Sequence, residues 1–180
     1  MHESSNGFMV NHDEQARSYS GMNSVILSQQ ASRFWIPFDV KLFETLTPRE
    51  YLENYCRVNN RRHTLYKRIF DKHKDNEGEL SVKVLPDALS DSYMRTIDTH
   101  FITQVIGLLD LPSNAKISLS QFEGIAAFSE RYFFNIFTRQ DSMEPQLQKE
   151  ILEKLDFSSL KWKLVGINIS SSLRQILRLI

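Results

Sequence analysis

A chain of 180 residues, 41% of them hydrophobic, can bury one sizeable core, so one domain with appendages is expected. Its 22 Lys and Arg balance 22 Asp and Glu, which argues against a general electrostatic affinity for nucleic acid or an anionic membrane. One cysteine, Cys56, permits no internal disulfide and fits a reducing compartment.

The start, MHESSNGFMVNHDEQ, is polar and carries no apolar leader segment, and no apolar run long enough to cross a membrane follows. A cytoplasmic location is therefore expected, and the sequon Asn168-Ile169-Ser170 reads as a chance match. Residues 1–33 are rich in Ser, Asn and Gln without helical periodicity and read as a disordered tail. Residues 34–46 form an aromatic arm in which Trp35, Phe38 and Phe43 stand with Phe34, Ile36, Val40 and Leu42 around Pro37. Such an arm either folds back onto the domain or docks on another protein, since aromatics are enriched at interface cores.

Helical signals dominate residues 47–137. Thr47-Pro48-Arg49-Glu50 combines a capping threonine, a first-turn proline and a reciprocal glutamate. Tyr51, Leu52, Tyr55 and Val58 then make a helical stripe, which Leu65, Tyr66, Ile69 and Phe70 resume after a break near Asn59-Asn60. Pro86 and the polar run Ser90-Asp91-Ser92 confine the next helix to about two turns. Ile102, Val105, Ile106 and Leu109 give one apolar face, and Phe122, Ile125, Ala126 and Phe133 continue it after a Ser118–Gln121 capping box. From Glu130 to Phe137 the chain is too apolar for a solvent-facing helix, so the core or a partner must cover it. Residues 138–180 read as a C-terminal helical extension. Leu147, Ile151, Leu152 and Leu155 define one amphipathic helix, and the end SSLRQILRLI is either a short core-packing helix or a partner-binding tip.

Two segments between these helices resemble calcium loops of the D-x-[DN]-x-[DN]-G-x5-E type with their ligands removed. Counted from Asp110, the second places Asp110 first and Asn114 fifth, but Pro112 third, Ala115 at the glycine position and Gln121 at the bidentate twelfth. Counted from His73, the first places Asp75 third, Glu77 fifth, Gly78 sixth and Val84 twelfth; a register starting at Asp71 needs two inserted residues and also ends on Val84. Leu80 and Ile117 share the eighth position. On these residues the chain resembles the EF-hand superfamily, calmodulin-like, as a divergent pair with degenerate loops.

That resemblance implies an all-α fold: a paired helix–loop–helix domain with a short two-stranded bridge between loops, flanked by the disordered arm and the extra C-terminal helices. It implies a non-catalytic scaffold that binds protein independently of calcium. An amphipathic partner helix would lie in a groove of Ile102, Ile106, Ile125, Phe128 and Phe133, and the family association extends to cytoskeletal or ciliary assemblies. The alternative is a weak or divergent calcium sensor acting through Asp71, Asp75, Glu77 and Asp110. Calcium enters only under that alternative; otherwise no cofactor is expected.

Charge is unevenly placed. Eight Lys or Arg stand against four Asp or Glu from Thr47 to Asp75, and three against seven from Asn76 to Glu123. A solvated helix face accounts for this, and an acidic partner is the sharper alternative. No zinc spacing joins His2, His12, His63, His73 and His100, and no phosphate loop or nucleophile elbow occurs. Cys56, between Tyr55 and Arg57 on an expected helix face, reads as packing. No enzymatic role is expected.

Overall fold

The computed structural model describes residues 27, 28, 30–138 and 151–180. Strand β1 (Ser32–Phe34) pairs antiparallel with β2 (Cys56–Val58), setting Ser32 opposite Val58 and Phe34 opposite Cys56. Between them lie a 3-10 turn (Val40–Glu44), capped by Asp39, and helix α1 (Pro48–Asn54). Both halves of the capping box on α1 form: Thr47 Oγ1 accepts from the Glu50 N–H at 3.2 Å, and Glu50 Oε2 accepts from the Thr47 N–H at 2.9 Å.

The stripe that the sequence continues as helix through Val58 ends at Asn54, because Cys56–Val58 is drawn into the pairing with β1. Cys56 is thus a strand residue. Asn59 then caps α2 (Asn60–His73), accepting from the Arg62 N–H at 2.9 Å. The tail expected over residues 1–33 is also shorter than composition suggests. Leu27 and Ala31 are buried and Ser32 and Arg33 are paired in β1; residues 1–26 and 29 lie outside the described residues.

Two helix–loop–helix units follow. The first runs from α2 through β3 (Leu80–Ser81) to α3 (Leu85–Ser92), the second from α4 (Thr99–Leu108) through β4 (Lys116–Ile117) to α5 (Leu119–Thr138). β3 and β4 pair antiparallel, with Leu80 opposite Ile117 and Ser81 opposite Lys116. Leu80 and Ile117 are both completely buried. Among the described residues the fold is thus mostly helical, with eight α-helices and two small two-stranded sheets.

Helix α5, with 20 residues, is the central element, packed on α1, α2, α4 and β2. Phe122 meets Tyr66 edge-on at 6.2 Å and Phe70 at 6.1 Å, and Phe133 meets Tyr93 edge-on at 5.2 Å. This chain itself therefore covers the aromatic stretch at the end of α5. At Gly124 the backbones of α5 and α1 come so close that a Cβ would lie 2.2 Å from the Leu52 carbonyl oxygen.

The remaining helices are α6 (Ile151–Phe157), α7 (Leu160–Lys163) and α8 (Ser171–Leu179). The amphipathic helix expected around Leu147 is described only from Ile151 onward, and it presents its faces the other way. Leu152 and Leu155 are exposed, while Glu153 is buried. The cause is Arg131 of α5, which pairs with Glu153 inside the molecule, lies 5.2 Å over the Phe34 ring, and donates from Nη2 to the Ser32 carbonyl at 2.9 Å. A buried charge needs such partners to be tolerated. No helix among the described residues is long and apolar enough to cross a membrane.

Candidate interaction site

The paired loops come first, since the metal-ligand candidates lie there. Gly78 takes the left-handed conformation (φ +83) at the turn of the first loop, as the register from His73 requires. Asp75 organises that loop: its Oδ1 accepts from the N–H groups of Glu77 (2.9 Å) and Glu79 (3.1 Å). Its other oxygen, Oδ2, accepts from Lys116 Nζ of the second loop at 2.5 Å. The hydrogen bond from Lys116, joined by those backbone donors, holds the Asp75 carboxyl below its usual range, and Asp75 in turn raises Lys116. The cation bridging the two loops is therefore a lysine ammonium.

The other candidates point elsewhere. Asp71 lies on α2, held by Lys67 at 2.9 Å and Lys74 at 3.1 Å, whose hydrogen bonds lower its carboxyl. Glu77 is exposed at the turn. Asp110 follows α4 with φ +51, so the left-handed residue of the second loop is Asp110 itself and the missing glycine at Ala115 needs no replacement there. At the twelfth positions, Val84 packs against the core. Gln121 caps α5 by accepting from the Ser118 N–H at 3.2 Å and donates to Glu53 of α1 at 3.1 Å. These donors do not fit a calcium cage. Among the described residues, no group of three or more His, Cys, Asp and Glu is placed to hold a metal ion.

The groove expected from the sequence is closed. Ile102, Ile125, Phe128 and Phe133 are buried, and Ile106 is half-buried against the core. Helix α8 packs on α1 and α4 through its own buried face, Leu173, Ile176, Leu177 and, just past its end, Ile180. Ser170 caps it by accepting from the Leu173 N–H at 3.2 Å, and Asn135 of α5 donates to the Leu179 carbonyl at 3.3 Å. Helical periodicity identified the apolar face but carries no record of which segment covers it. Here the cover is the chain itself: α8 packs on α4, while α1 and α2 pack on α5, and Tyr93 lies against Phe133.

The arm is folded back in part. Phe43 is buried, and Trp35 is half-buried, edge-on to Tyr55 at 6.1 Å, with its carbonyl accepting from the Tyr51 hydroxyl at 2.9 Å. Phe38 points fully to solvent.

Three polar nodes escaped the sequence reading. Asp91 at the end of α3 joins His73 (2.6 Å) and Lys72 (3.0 Å) of α2 to Arg95 (2.8 Å), which clamps the first helix pair. Burial alone would raise its carboxyl, but these partners hold it low. Arg62 forks onto Glu130 at 3.0 and 2.7 Å, and burial raises that carboxyl against the pull of the arginine. Lys116 completes the set. Its place in the sequence, one residue before a buried isoleucine, carries no local signal of a partner forty-one residues away.

A cavity of about 340 Å³ beside β2 is lined by Glu53, Cys56, Arg57, His63, Ser120 and Glu123, with His63 paired to Glu123. Burial pushes the Cys56 thiol well up, so it stays protonated at neutral pH. No protein family, curated protein or solved structure matches the chain.

Proposed function

We propose that the chain is a non-catalytic, EF-hand-like protein-interaction scaffold that works without calcium. The observation that carries this reading is the Lys116–Asp75 pair across the β3–β4 bridge. In a calcium sensor the loops change state when a divalent ion arrives and neutralises their acids. Here an ammonium from the neighbouring loop neutralises Asp75, and Asp71 is committed to Lys67 on its own helix and to Lys74 just past its end. A domain so arranged has no calcium-driven change of state.

The seating of α8 supports a scaffold for amphipathic helices, because the cleft between α1 and α4 accepts a helix whose apolar residues recur at three- and four-residue spacing. A cytoplasmic role in a cytoskeletal or ciliary assembly is the setting we assign to such a scaffold, on the family resemblance. Calcium titration in millimolar magnesium, followed by binding heat and backbone amide shifts, tests the reading. No heat and no shifts up to millimolar calcium are expected. Saturable binding with shifts centred on Gly78 and Asp110 would make the protein a divergent sensor instead. A partner-exchange arm follows: a peptide spanning residues 169–180, added to a chain truncated after Asn168, should bind and restore its stability.

A further inference from the structure

Helix α2 divides into two faces. Tyr66, Ile69 and Phe70 are buried in the core, and Arg62 turns inward to fork onto Glu130 at 3.0 and 2.7 Å. The opposite face is exposed and carries Arg61, Thr64, Lys67, Arg68 and Asp71, which recur at three- and four-residue spacing. His63, Thr64, Lys67, Arg68 and Asp71 line one open hollow of about 420 Å³. His63 also lines the hollow beside β2, which takes in Arg57, so the surface runs without a break from Arg57 to Asp71.

Positive charge on this surface is left uncompensated. The acids nearest to it are already engaged: Glu130 by Arg62, Glu123 by His63, and Asp91 by Lys72, His73 and Arg95. Asp71 is the only acid of α2, and Lys67 and Lys74 share it, which leaves one positive charge over among the three. Arg57, Arg61 and Arg68 are exposed and have no carboxylate partner among the described residues. Glu53 and Glu123 line the hollow on the Arg57 side, so the attraction for an anion is strongest at Arg61 and Arg68.

These two arginines are seven residues apart, roughly 10 Å along the helix axis. An extended chain covers that distance in about three residues. Carboxylates at every third position of an extended segment therefore reach both guanidinium groups, each of which can take a carboxylate through two parallel hydrogen bonds. None of the exposed large apolar side chains lies on α2, so the face offers no seat for the apolar stripe of a helix. Nucleic acid fits less well, because a phosphate about every 3.4 Å along a strand would press on Asp71 and Glu123.

We infer that this face of α2 binds an extended, Asp- and Glu-rich segment of another protein through Arg61 and Arg68. The site is distinct from the cleft that seats α8 and does not depend on whether the paired loops bind calcium. Fluorescence anisotropy tests it in calcium-free buffer at low salt, with a short labelled peptide carrying glutamate at every third position. The full chain is expected to bind this peptide, to bind it more weakly as salt rises, and to ignore its glutamine counterpart. Arg61→Glu with Arg68→Glu should weaken binding by about tenfold or more, with circular dichroism checking that the fold persists. Lys154→Glu with Lys161→Glu changes the net charge equally at exposed positions on α6 and α7, and should leave binding within about twofold. A glutamate peptide that fails to bind overturns the inference. Equal losses in the two double variants overturn it as well, since the attraction would then be one of bulk charge. Tighter binding of a short DNA duplex than of the peptide, lost with the same arginines, overturns it in favour of nucleic acid.

Discussion

Replacing Gly124 by alanine adds one methyl group where α5 crosses α1. Its Cβ would lie 2.2 Å from the Leu52 carbonyl oxygen and 2.6 Å from the carbonyl carbon. An ordinary carbon–oxygen contact is roughly 3.3 Å, so the two helices must part by about 1 Å along their whole contact. The obstruction is backbone, which cannot swing aside as a side chain does. Overpacking of this kind costs about 1–3 kcal/mol, and the gain in helix propensity returns roughly 0.8–1 kcal/mol. Taking the upper end of the range, the net loss is about 2 kcal/mol, a fall in Tm of about 4–8 °C for a chain this size. Gly107 on α4 is the control. A Cβ there meets nothing within 4 Å, so Gly107→Ala should raise Tm by about 2–4 °C through propensity alone. Thermal melts of both variants, followed by circular dichroism, decide the matter. Equal stabilisation by the two substitutions would refute the close approach of α5 to α1.

Arg131→Met leaves Glu153 buried without its counter-charge and should cost about 3–5 kcal/mol, while Arg131→Met with Glu153→Leu recovers most of that loss; chemical denaturation measures both. The same single change should speed amide exchange in β1, because it removes the donor to the Ser32 carbonyl. Asp75 sits below its unfolded value of 3.8. Between the native and unfolded values the unfolded chain binds more protons, so stability present above pH 3.8 declines as the pH falls through that window. Asp75→Asn should flatten this acid limb in melts recorded at stepped pH. Ile176→Ala truncates a wholly buried side chain of α8 itself and should cost about 2–5 kcal/mol by denaturant titration; a loss near zero would mean that α8 contributes little to closing the core.

Local signals were legible and distant ones were not. Thr47 and Glu50 form their reciprocal cap because both partners lie within one turn, where sequence spacing fixes geometry. Leu80 and Ile117 could be matched because each occupies the same place in its loop. In contrast, nothing near Cys56–Val58 announces that β1 will claim it, and the helical stripe reads on through residues that fold as a strand. The closure of the expected groove failed to show for a similar reason. An amphipathic face states that it will be covered, and only tertiary structure names α8 as the cover of α4, and α1 and α2 as the cover of α5. Glu153 was unreadable from its neighbours, since its burial depends on Arg131, twenty-two residues earlier. Gly124 looked like any helix glycine until the carbonyl of Leu52 stood against it.

The bond from Arg131 to the Ser32 carbonyl spans 99 residues of chain, and that separation fixes an order of events on the ribosome. Strand β1 can find β2 soon after Val58 emerges. The guanidinium that also secures it arrives only when α5 has been made. At roughly 5–20 residues per second that interval is about 4–15 s. Throughout it, Phe34 lacks the cation that will sit over its ring, and Leu52 lacks the helix that will cross it at Gly124. The nascent chain must hold an aromatic N-terminal segment in waiting while about seventy further residues are made, and it is then, rather than after release, that a chaperone has most to bind.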